Sequence, residues 1–148
     1  MERFKNILVA AAPGSLDTTA VRRIASLVEA NNARVTLMDV IEPMPPWRRR
    51  VNVEGRTVDI QKLLLDERSA TLRRHAEAIG GGEVDVRVRQ GKPFIEVVRH
   101  ALEHHNDLVI VADPPGQRET TGHIGSAADI MQLLRKCPFP VWVMRASV

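Results

Sequence analysis

Asn6-Ile7-Leu8-Val9-Ala10-Ala11-Ala12 is apolar without interruption from Ile7 onward, the pattern of a strand covered on both faces rather than one with a wet side. Further β-rich segments predict strands at 34–41, 84–89, 107–112 and 140–145. Longer stretches with helical spacing separate them. Ala20, Ile24, Leu27 and Val28 recur at i, i+4, i+7 and i+8, one apolar stripe on a helix with Ser15 as its expected N-cap. Leu65, Leu72, Ala76 and Ile79 mark a second helix, beginning near Asp59 and stopped by Gly80, Gly81 and Gly82. Phe94, Val97, Val98, Ala101 and Leu102 mark a third, with Pro93 at a first-turn position where no N–H is needed. A fourth runs from Ser126 through Ile130, Leu133 and Leu134 until Pro138 and Pro140 end it. The order β-α-β-α-β-α-β-α-β predicts an α/β fold, an open, parallel five-stranded sheet between two layers of helices.

The 148 residues suit one domain, 1–148, able to bury a core without staples. With only 3% aromatic residues, that core must be aliphatic. The lone Cys137 cannot form an internal disulfide, and with no Cys/His spacing for zinc it fits a reducing, cytoplasmic compartment. The apolar run after Lys5 is too short for a secretory leader, and none reaches the ~20 residues of a membrane span. The net charge of +3 is scattered among acids rather than gathered in a stripe. Neither nucleic acid nor a membrane is an expected partner.

Ligands of such sheets bind beyond the carboxyl ends of the strands, which directs attention to the segments after 12, 41, 89 and 112. After the fourth strand come Asp113-Pro114-Pro115-Gly116 and then Gly125-Ser126 at the start of the last helix. Gly125 permits close backbone approach, and the free N–H groups beyond Ser126 point at any bound anion. The plainer reading makes Gly125 the end of a loop and Ser126 a cap, with Asp129 completing a capping-box-like pair.

Lys5-Asn6-Ile7-Leu8-Val9-Ala10, Gly91-Lys92-Pro93, Asp107-Leu108-Val109-Ile110-Val111, Gly125-Ser126 and Cys137-Pro138-Phe139-Pro140-Val141 stand in an order and spacing that resembles the universal stress protein family. The tail from Leu133 to Trp142 is most similar to the tandem-domain subfamily E, of which this chain would supply one domain. The resemblance implies a Rossmann-like sheet of the adenine nucleotide alpha hydrolase type in the order 3-2-1-4-5, homodimerisation and a role in surviving stress. It also implies an adenine-nucleotide site at Ala11, Ala12, Val40, Gly116, Gly125 and Ser126.

ATP-binding members carry Gly-x2-Gly-x9-Gly-Ser/Thr after the fourth strand, and here Ala112 and Pro115 replace the first two glycines. Pro115 has no N–H to offer, although Gly116 stands next to it. The acidic residue such members carry at the first strand's tip is replaced by Ala11, Ala12 and Pro13. A carboxylate such as Asp113 at ~4 Å from phosphate costs about 1 kcal/mol in water and about 4 at an effective dielectric of 20. A helix N-terminus returns about 0.3 to 1, and up to ~2 when partly buried. Repulsion wins unless Arg118 or Lys92 intervenes.

The expected function is therefore a non-enzymatic binding or sensing module with weak or absent ATP binding. The alternative is an ATP-binding member or a weak nucleotide hydrolase using the Gly125-Ser126 helix start. No positioned base and metal set supports catalysis, and a receiver domain is disfavoured because the third strand ends in Arg89-Gln90-Gly91 rather than an acceptor Asp.

Three further features are weighed. Glu96, His100 and His104 at i, i+4 and i+8 have the spacing of a metal face, but such faces usually meet water. Trp47-Arg48-Arg49-Arg50, in an expected long loop at 42–57, could meet an anionic surface or a nucleotide, and a solvated loop is the plainer reading. The segment from Pro140 to Arg145 should be a sheet edge, and an apolar edge invites a second copy, so a homodimer joined there is expected.

Overall fold

A computed structural model describes residues 3–12, 14–80, 84–113 and 126–145. Its strands β1 (Asn6–Ala10), β2 (Arg34–Ile41), β5 (Val84–Gln90), β6 (Leu108–Asp113) and β7 (Val141–Arg145) form one five-stranded sheet in the order β5-β2-β1-β6-β7. Every neighbouring pair is parallel. Counting only these strands, the order is the expected 3-2-1-4-5.

The helices follow the apolar periods. Those on this sheet are α1 (Thr18–Asn31), α3 (Ile60–Ile79), α4 (Pro93–Glu103) and α5 (Ala127–Lys136). Strand alternation divides the core into two clusters, one on each side of the sheet. Ile7, Val9, Leu37 and Ile110 pack with Ile24 and Val28 of α1 and Leu72 of α3. Leu8, Met38, Val40 and Val109 pack with Val97 of α4 and Leu133 of α5. Each such aliphatic side chain contributes roughly 1.5–3 kcal/mol when taken fully out of water.

Two expectations are corrected. The first helix is capped by Asp17, whose carboxylate accepts from the Ala20 N–H at 2.7 Å, because the Ser15 hydroxyl instead donates to the Ala12 carbonyl. The expected long loop at 42–57 is largely ordered as a one-turn helix, α2 (Pro46–Arg49), followed by the antiparallel ribbon of β3 (Arg50–Val53) and β4 (Arg56–Asp59). Its two-residue turn places both Glu54 (φ 50°) and Gly55 (φ 78°) at positive φ, as a tight hairpin turn requires. The helix after the ribbon starts where expected, with Asp59 accepting from the Lys62 N–H. No helix among the described residues is long and apolar enough to cross a membrane.

Candidate functional site

The carboxyl ends of β1, β2, β5 and β6 share one rim of the sheet. Ala11 and Ala12 prolong β1 there and are buried, and the Ala11 N–H is occupied by the Met38 carbonyl at 2.9 Å. Val40 lies near the end of β2 with its side chain in the α4/α5 core, and its N–H donates to the Asp39 carboxylate at 2.8 Å. That carboxylate, itself buried, receives Arg68 of α3 at 2.8 Å. Beside them Gln61 is buried in the first turn of α3 and accepts from the Met44 N–H at 3.4 Å. Sequence reasoning missed these polar groups, since Asp39 sits in an otherwise apolar strand and its cation arrives from 29 positions away.

On the opposite face of the sheet, α4 and α5 begin around a cavity of about 200 Å³ lined by Glu42, Lys92, Phe94, Ser126, Asp129 and Gln132, among others. Ser126 is the N-cap of α5, as expected, and its hydroxyl accepts from the Asp129 N–H at 3.2 Å. Lys92 precedes Pro93 at the start of α4. It is held there by Gly91, whose N–H donates to the Ile41 carbonyl at 3.0 Å across the sheet. One expected site residue, Ser126, and one expected source of positive charge, Lys92, therefore border the same cavity. Ala11, Ala12 and Val40 are at the rim but do not line it. Gly116 and Gly125, together with Asp113's side chain, lie outside the described residues.

The cavity's charges are mixed. N–H groups at the start of α5 favour an anion, as does Lys92. Glu42 and Asp129 oppose one.

The Glu96, His100 and His104 face is not the solvated surface expected. Glu96 and His100 are buried, and Arg99 donates to Glu96 at 2.8 Å. The imidazoles of His100 and His104 stack with centroids 4.0 Å apart and planes 13° from parallel. Ring-nitrogen lone pairs lie in the ring plane, so stacked rings aim them side by side rather than at one ion. Among the described residues no group of three or more His, Cys, Asp or Glu gathers as a metal site. The Cys137 thiol is pushed up by burial, which leaves it a packed side chain rather than a ready nucleophile.

Sheet order, helix layers and a polar rim at the strand ends define the class as a doubly wound α/β domain with a ligand-type rim. The chain belongs to the universal stress protein family, whose model matches residues 3–145. It is 22% identical to universal stress protein E of Photorhabdus laumondii subsp. laumondii, over 100% of this chain and 48% of that protein, so it spans about half of the curated relative's length. Among solved structures it is similar to a universal stress protein in complex with cAMP (TM-score 0.63, 19% identity, 97% of this chain and 98% of that one). It is also similar to the Archaeoglobus fulgidus universal stress protein in complex with dAMP (TM-score 0.58, 16% identity, 97% and 98% covered).

Proposed function

We propose that this chain is a binding or sensing module of the stress response, without catalysis of its own, whose affinity for ATP is weak or absent. The observation that carries this reading is the cavity at the start of α5, which among the described residues is lined by Glu42 and Asp129 as well as Lys92. Among its described lining residues carboxylates outnumber cations, and the space is smaller than the ~300 Å³ at which drug-sized pockets begin. The replaced glycines at Ala112 and Pro115 point the same way. Calorimetric titration with ATP tests this: a dissociation constant weaker than about 0.1 mM is expected, and a micromolar one overturns the reading.

A second reading has its own support. Ser126 still caps the start of α5, and two similar structures carry cAMP and dAMP. On it the chain binds an adenine nucleotide at Ala11, Ala12, Val40, Gly116, Gly125 and Ser126, or hydrolyses one weakly. Saturable AMP binding supports the first form, and ATP turnover above a heat-treated control the second.

The proposed assembly is a homodimer through β7, an edge strand with Trp142 and Val143 exposed, and the proposed compartment is the cytoplasm.

A further inference from the structure

The β3–β4 ribbon and the turn of helix before it contribute nothing to either buried core cluster. A two-stranded ribbon standing alone is marginal in water, so this one calls for a surface to lie on. The pairing of Val51 with Val58 and Val53 with Arg56 puts three valines and one arginine on one face. Val51 and Val53 are 40% and 50% exposed, and Trp47 just ahead of them is 79% exposed. Four arginines accompany these apolar groups. Arg49 is held by Asp59 at 3.3 Å and Arg48 lies over the Trp47 ring at 5.7 Å, while Arg50 and Arg56 have no ion-pair partner among the described residues. Glu54, in the turn, is the ribbon's other acid.

We infer that this ribbon is a docking surface for an anionic lipid bilayer, laid flat with Val51, Val53 and Arg56 of its valine face, and Trp47, against the headgroup boundary, so that Arg56 meets the lipid phosphates. Such a boundary takes all three side-chain types at once: tryptophan settles at headgroup level, valine enters the acyl edge, and guanidinium pairs with phosphate. Nucleic acid would use the arginines and the tryptophan but gives the valines no role. A second copy is disfavoured by size, since strands of four residues span only ~13 Å and fall far short of the ~800 Å² per partner of a stable interface. The acid at the turn favours a flat approach over a tip-first one. The expectation of no membrane partner rested on the lack of a spanning segment, which surface docking does not need.

The test uses the whole chain carrying Trp142→Phe, so that Trp47 is the sole indole, with vesicles of equimolar phosphatidylglycerol and phosphatidylcholine or of phosphatidylcholine alone. Expected are co-sedimentation with the anionic vesicles only and a blue shift of Trp47 emission. Arg56→Glu should lower partitioning about tenfold, and Val53→Asp several-fold. Circular dichroism verifies folding, and if Arg56→Glu does not fold, Val53→Asp alone decides. No shift with anionic vesicles overturns the inference. So does binding that Val53→Asp leaves intact, tighter binding to duplex DNA than to the vesicles, or a ribbon-dependent dimer in sedimentation.

Discussion

Gly91 and Glu96 are packed so closely that a Cβ on Gly91 would lie 2.7 Å from Glu96 Oε1. Gly91 also has φ +150°, a conformation that side-chain-bearing residues rarely adopt. Glu96 cannot swing freely aside, being buried and held by Arg99. Gly91→Ala should therefore destabilise the protein by about 1–3 kcal/mol, read as a lower midpoint in urea, and Glu96→Ala in the same chain should recover the steric part only.

His100 supplies a pH dependence. Burial, followed by the neighbouring His104, pushes its pKa down to about 4. Asn106 donates through Nδ2 to Asn6 Oδ1 at 3.0 Å, so its Oδ1 accepts and His100 Nδ1 carries the proton of their 3.1 Å bond. A histidine depressed when folded binds its extra proton only after unfolding. Stability is thus complete above the ordinary value of 6.5 and falls as pH drops toward about 4. The loss over that window is of order 1–3 kcal/mol, and His100→Gln should flatten the midpoint-versus-pH curve there. An unchanged slope in the variant would contradict the assignment.

If carboxylates at the start of α5 are what weakens phosphate binding, neutralising them should restore some. Glu42→Gln with Asp129→Asn keeps the Asp129 N–H that bonds Ser126 and removes two negative charges from the cavity. AMP affinity in calorimetry should rise about tenfold, at roughly 1 kcal/mol or less per removed charge. No change would mean that nucleotide, if bound, lies elsewhere on the rim.

For the edge strand, Val143→Lys should shift sedimentation from dimer to monomer at micromolar concentration, because an edge lysine blunts strand pairing. Val143 is exposed enough for the change to leave the monomer's stability within about 0.5 kcal/mol. A parent chain that is already monomeric removes the β7 proposal.

Ile7–Val9 and Leu108–Ala112 were legible as unbroken apolar runs that suit a doubly covered sheet, and Val84-Asp85-Val86-Arg87-Val88-Arg89 as a strict alternation. The ribbon was not, because its strands hold three valines diluted by arginines and preceded by Pro43, Pro45 and Pro46. The available signal was Val51-Asn52-Val53 alternating ahead of Glu54-Gly55, a turn pair. Ser15 was the expected cap, and nothing local announces that its hydroxyl turns back to Ala12 and leaves the capping to Asp17. Lys92 was visible only as a charge: its meeting with Ser126 depends on α4 and α5 sharing one face of the sheet. Glu96 and His100 defeated the assumption that a charged helical face is wet, since their burial depends on a missing Cβ at Gly91 and an amide from Asn106.

The sheet is a single backbone layer thick, and the two hydrophobic clusters on its faces share no side chain. Damage on one side should therefore be thermodynamically blind to damage on the other. Truncating Leu37 and Leu133 together should cost the sum of the single truncations to within about 0.5 kcal/mol, whereas two truncations inside either cluster should couple.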